Sequence, residues 1–225
     1  MNKLLILITA FLLTIQFSNA QTSAGTQTLG FNLGFSFNKT NEMPNTQNAA
    51  TGSPFIEKYT TLSFGPSYSY FIANDLDLGA SLGVASDLET NSDNNFGYPL
   101  KYTNNDFGGT IYIRKYFLYK SKFGFRTGPY ISYDKSSYNY IYPSAQNSPG
   151  YNNHSNNLSA GIKLDLVYYA SKKIGFSATL ANLAYNHSSS NGGYYQLNQN
   201  GNGISLYTGT SALQISMFYV FGGKG

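Results

Sequence analysis

Five ionisable residues stand out because each falls on the face opposite the alternating apolar side chains: Asp77, Arg114, Arg126, Lys163 and Asp165. Arg114 and Arg126 lie at matching distances on either side of the break Tyr119 to Lys122. Asp165 lies at a similar distance before Ser171-Lys172-Lys173. On adjacent strands these three side chains would stand at one height, with Lys163 one same-face position further along and Asp77 close to the break Asn74-Asp75. A charge that leaves water is costly unless it is paired. The spacing therefore predicts a luminal ionic cluster, Arg114, Arg126, Asp165, Lys163 and Asp77, that plugs a narrow interior.

Other chemistry is thinly represented. The chain has two histidines, His154 and His187, both in polar stretches that read as loops. His187-Ser188 sits among serines, but no third residue orients the ring, and a nucleophile needs a base activated in geometry. Asp87, Glu89 and Asp93 are too scattered for a metal ligand set. Gly201-Asn202-Gly203 reads as a turn and not as a phosphate loop, because no helix follows it. With no cysteine in the chain, disulfides and thiol chemistry are absent. No catalytic, metal or cofactor-binding residue is assigned, and no cofactor is expected.

The elements that must position the five charges are strands. From Phe64 to Val84, apolar side chains at Phe64, Tyr68, Tyr70, Leu76, Leu78, Leu82 and Val84 alternate with Gly65, Ser67, Ser69, Asp77, Gly79, Ser81 and Gly83, around the join Asn74-Asp75. A period of two is the mark of a strand with one apolar and one polar face. The same pattern recurs at Gln27 to Asn38, Tyr59 to Ile72, Leu76 to Asp87, Phe107 to Leu118, Phe123 to Tyr133, Leu158 to Tyr168, from Ile174, and from Ala212 to Phe221. In the seventh strand the parity slips near Asn182, which predicts a bulge. Breaks alternate long and short: Thr40 to Ile56, Leu88 to Tyr102, Lys135 to Asn157 and Asn186 to Gly203 are long, and the joins between them are short.

Residues 1–20 read as a secretory signal peptide, with Lys3, the apolar run Leu4 to Phe17 and the small residues Ser18-Asn19-Ala20 before Gln21. Residues 21–225 read as one domain. Charged residues make up 11% of the chain and aromatics 16%, with a mean hydropathy of −0.27. That balance suits strands that are half apolar and half small-polar better than a soluble core or a disordered chain. The net charge of +4 could suggest nucleic acid. However, the lysines at 115, 120, 122, 172, 173 and 224 are spread over turns and the C-terminus, so no nucleic-acid partner is expected.

Eight strands, short turns on one side, long loops on the other and strands long enough to cross hydrocarbon at a tilt describe a transmembrane barrel. Backbone groups in lipid must all be paired, so such a sheet has to close on itself. The hairpin Phe64 to Val84 and the terminal stretch L-Q-I-S-M-F-Y-V-F resemble the outer-membrane protein β-barrel domain family, the small OmpA- and OmpX-like barrels of Gram-negative bacteria. The resemblance implies an all-β, eight-stranded, antiparallel up-and-down barrel in the outer membrane, with both termini periplasmic. It also implies that the terminal aromatic strand, with Tyr219 and Phe221, is read by the barrel assembly machinery.

The expected function is a non-enzymatic structural or surface-interaction role with a plugged lumen. The expected partners are outer-membrane lipids, the assembly machinery and an unidentified extracellular ligand of the long loops, where Tyr138, Tyr140, Tyr142 and Tyr151 stand among Asn and Ser. A narrow porin-like channel for small solutes and a loop-borne hydrolase are the alternative readings.

Overall fold

The computed structural model describes residues 21–42, 55–91, 101–141, 151–192, 197–208 and 215–222. The signal segment 1–20, Pro44, Pro54, Asp93, Tyr142, Ala212, Leu213, Gln214 and Lys224 lie outside the described residues. The strands are β1 Thr26–Glu42, β2 Phe55–Ala73, β3 Leu76–Asn91, β4 Lys101–Tyr119, β5 Phe123–Ile141, β6 Tyr151–Tyr169, β7 Ile174–Gly192, β8 Leu197–Thr208 and β9 Ile215–Gly222.

Each strand pairs antiparallel with its sequence neighbour from β1 through β7. β8 and β9 share one position in the ring. β8 lies along Ala181–Gly192 of β7, and β9 lies along Ile174–Ala178 of the same strand. β9 also pairs with β1, from Thr26↔Gly222 to Leu33↔Ile215, and this closes an eight-position barrel. Closure removes the unpaired edges that an open sheet would expose.

Two sequence expectations need correction. The described parts of the long breaks are strand: β4, β5, β6 and β7 each run 19 residues, where about 9–11 suffice to cross hydrocarbon. His154, His187 and Gly201-Asn202-Gly203 therefore lie in strands and not in loops or turns. Their Asn/Ser/Gly composition disguised them, since hairpin arms that leave the apolar zone no longer need one greasy face. The last ring position is also split between β8 and β9 and is not a single strand.

The alternation itself is regular. Leu78, Leu82, Val84, Ile111, Ile113, Phe117, Phe125, Ile131, Ile162, Tyr219 and Phe221 point outward, while Ser69, Asp77, Tyr116, Arg126, Ser159, Asp165 and Ser177 are buried inside. In β7 an extra residue, Leu180, sits between the pairs Asp165↔Thr179 and Leu164↔Ala181. This bulge restores parity, so Leu183 and Tyr185 again face outward. At the short-turn end, Asp75, Lys120 and Ser121 take positive φ, as tight two- and three-residue joins require. Lys122, one of the lysines of the short turns, is buried. Its neighbours Lys115 and Lys120 keep to the surface, where the Lys115 ammonium donates to the Asn74 carbonyl at 3.0 Å.

Candidate functional site

Three layers fill the short-turn end of the lumen. The outermost is the segment just before β1. Gln21 and Thr22 are buried there, as is Thr26, the first residue of β1. The Gly25 N–H donates to the Phe71 carbonyl at 2.9 Å, the Asp75 N–H donates to the Thr22 carbonyl at 2.7 Å, and the Gln21 amide donates to the Ser171 carbonyl at 2.8 Å. The segment thus ties the turn at Asn74-Asp75 to the turn at Ser171 across the mouth.

Behind it lies an apolar layer of Phe71, Val167, Tyr169, Phe218 and Val220. The Tyr169 and Phe218 rings meet edge to face with centroids 5.4 Å apart, a favourable aromatic geometry. A Cβ on Gly175 would collide with the Phe218 ring, so the glycine is what lets that ring lie against the wall.

The third layer is ionic. Arg114 meets Asp77 through two donors, Nε to Oδ1 at 3.1 Å and Nη2 to Oδ2 at 2.6 Å. Arg126 donates to Asp165 at 2.8 Å and to the Ser177 hydroxyl at 2.8 Å. The pairs are joined by Tyr116, whose hydroxyl donates to Asp77 at 3.0 Å and accepts from Arg126 at 3.2 Å. Ser69 donates to Asp77 at 2.8 Å, and Thr179 donates to Asp165 at 3.0 Å. Each carboxylate therefore has a cation and at least one hydroxyl, the condition under which a buried pair is tolerated.

Arg114, Arg126, Asp77 and Asp165 are thus brought together. Lys163 lines the same lumen but makes neither of the two salt bridges found among the described residues. Its ammonium lies over the Tyr130 ring, 5.4 Å from the centroid. Sequence reading missed Tyr116, Ser69, Ser177 and Thr179. Their inward parity was the available signal, but nothing in residue type separates a bridging tyrosine from one in an aromatic girdle.

The layers do not fill the whole barrel. Above them a cavity of about 670 Å³ is lined by Arg114, Arg126, Lys163 and Asp165 at one end, and its lining also includes Asp106 and Asp134. This narrows the expectation of a lumen plugged by side chains to the short-turn end, because Gly and Ser on the inner face leave a cavity above the plug. A Cβ on Gly108 would strike the Asp134 carboxylate, so that carboxylate owes its position to the bare backbone opposite.

His187 is exposed, and its Nδ1 lies 2.7 Å from the Asn202 side-chain oxygen. His154 is exposed on β6. Tyr219 and Phe221 stack on the outer face with centroids 6.3 Å apart.

A closed antiparallel barrel with an ionic plug inside is the class these observations define. Among solved structures, the outer membrane protein OprG of Pseudomonas aeruginosa is similar over 90% of this chain and 99% of its own, at 11% identity and a TM-score of 0.43. Ail, the attachment invasion locus protein of Yersinia pestis, is similar over 88% and 99%, at 10% identity and a TM-score of 0.34. The outer membrane protease OmpT of Escherichia coli is similar over 93% and 98%, at 12% identity and a TM-score of 0.39. No protein-family model and no curated protein sequence matches the chain.

Proposed function

We propose that this protein is a non-enzymatic outer-membrane barrel, closed at its periplasmic end and offering its long hairpins to the cell exterior. The observation that carries the reading is the division of faces. Large apolar side chains cover the outside, while the charged pairs of the spanning zone lie inside. Ile111 is 64% exposed and Leu82 is 56% exposed. A continuous surface of such residues would drive association in water, whereas hydrocarbon solvates it without cost. Thr26 and Gly222 pair at the short-turn end, so both ends of the barrel chain face the periplasm in this orientation. Tyr219 and Phe221 then offer the outward aromatic strand to the assembly machinery.

The plug at the short-turn end supports a structural or surface-interacting role over a conductive one. Current would require Asp77–Arg114 and Arg126–Asp165 to separate and the Gln21–Gly25 segment to leave the mouth. The open cavity favours the narrow-channel alternative as second reading. Planar-bilayer recording decides between them. The closed reading expects no steady single-channel steps from the folded protein, and steps that persist with the full chain would overturn it.

A further inference from the structure

We propose that the luminal cavity is a binding site for a short zwitterionic molecule about 10 Å long, such as a small peptide. The inference rests on the closed-barrel reading for one point only, that the ligand is held in the lumen and not passed through it.

The charges of the cavity are arranged in two zones. In the inner zone, both acids, Asp77 and Asp165, are committed to Arg114 and Arg126. Lys163 is therefore in excess. It lines the cavity, its ammonium rests on the Tyr130 ring, and neither of the two salt bridges among the described residues involves it. An ammonium placed over an aromatic face keeps its hydrogen-bond donors available, and a carboxylate fits them.

The outer zone has the opposite sign. Asp106 and Asp134 both line the cavity, and neither belongs to a salt bridge among the described residues. One oxygen of Asp106 accepts from the Asn104 amide at 3.0 Å, while the other is buried with no partner. A buried carboxylate oxygen left unsatisfied is costly and is relieved by a cationic donor.

The separation sets the ligand's length. Tyr130 and Asp134 are both inward positions of β5, and the strand between them covers about 13 Å at 3.3 Å per residue. An extended tripeptide spans about 10 Å and fits within that separation. The volume of about 670 Å³ lies within the usual range for small-molecule sites. A polyanion would meet the carboxylates first, and a polycation would end against three basic side chains. A molecule with one charge at each end satisfies both zones.

The test uses the full protein, folded in detergent, titrated calorimetrically with triglycine, N-acetyl-triglycine, triglycine amide and the doubly capped peptide. Triglycine should bind one to one, and each cap should weaken binding about tenfold. Lys163→Met should weaken triglycine about tenfold and remove the discrimination against the amide, while discrimination against the acetyl cap persists. Asp134→Asn should do the converse. Heat-dependent gel migration checks that each variant is folded, with Lys163→Gln standing in if Lys163→Met is not.

The proposal is overturned by absence of triglycine binding to the folded protein, by equal binding of the doubly capped peptide, or by a Lys163 variant that still rejects the amide. Conductance of the same preparation separates the two readings. Binding together with steady current would overturn the closed barrel and leave the ligand assignment standing, and silence without binding would overturn the ligand assignment alone.

Discussion

At the scale of single residues, Tyr116 joins two ion pairs that would otherwise be independent. Its hydroxyl gives Asp77 a donor and gives Arg126 an acceptor. Tyr116→Phe keeps the ring against Phe71, whose centroid is 5.2 Å away, but leaves one buried Arg126 donor without an acceptor. We expect a loss of about 1–3 kcal/mol of folding stability, read from urea unfolding in lipid vesicles; no change would mean that the hydroxyl bridge contributes nothing.

Asp77→Asn should cost more, about 3–5 kcal/mol, since it leaves Arg114 charged and unpaired in the lumen. Adding Arg114→Met should recover part of that loss, and additive single effects would show that the pair is not coupled. The five charged positions were legible in the sequence because each lies at the parity opposite the apolar side chains of its strand. The hydroxyl partners were not legible, since Ser69 and Ser177 are two among many inward serines whose heights only the register reveals.

At the scale of elements, what a strand must face decides how plainly it can be read. The halves of β3, β4 and β5 nearer the short turns alternate apolar residues with an opposite, inward face and were visible as strands at once. Their outer arms, such as Ser136–Asn139 of β5, pair just as regularly but carry polar residues on both faces, so the period of two disappears. β8 was hidden for the same reason. The bulge was legible as a parity slip and falls at Leu180, two residues before the position expected. Leu180 is the residue without a partner in the ladder, so its deletion should leave a continuous β7 with Thr179 inward and Leu183 outward. We expect ΔLeu180 to fold and to show the heat-dependent gel shift, whereas ΔIle162 on β6, which forces Lys163 and Asp165 out of phase with Gly161, should not.

The turns invite a smaller change. Ser121 holds a φ of 55°, a conformation that costs a residue with a Cβ roughly 1 kcal/mol and glycine almost nothing. Ser121→Gly should therefore raise the urea midpoint of unfolding slightly, and a lowered midpoint would show that the serine side chain contributes more to the turn than its backbone costs.

At the scale of the whole molecule, the question is which solvent surrounds the barrel, and a single exposed side chain can answer it. Ile111 is on the outer face of β4, near the middle of the apolar zone that runs from Phe117 to Phe107, and it is 64% exposed. In water, replacing so exposed a side chain by arginine would be nearly neutral for folding and would favour solubility. In hydrocarbon the guanidinium must be desolvated or must drag water and headgroups inward, at a cost of about 2–4 kcal/mol near the midplane that falls toward zero at the interfaces. Asn139 is exposed on the far arm of β5, beyond the apolar zone, and gives the matching control. The membrane reading expects Ile111→Arg to destabilise the protein in vesicles by about 2–4 kcal/mol while Asn139→Arg changes little. Two equally harmless arginines, with the protein recovered in the soluble fraction, would mean that the apolar exterior is covered by something other than lipid.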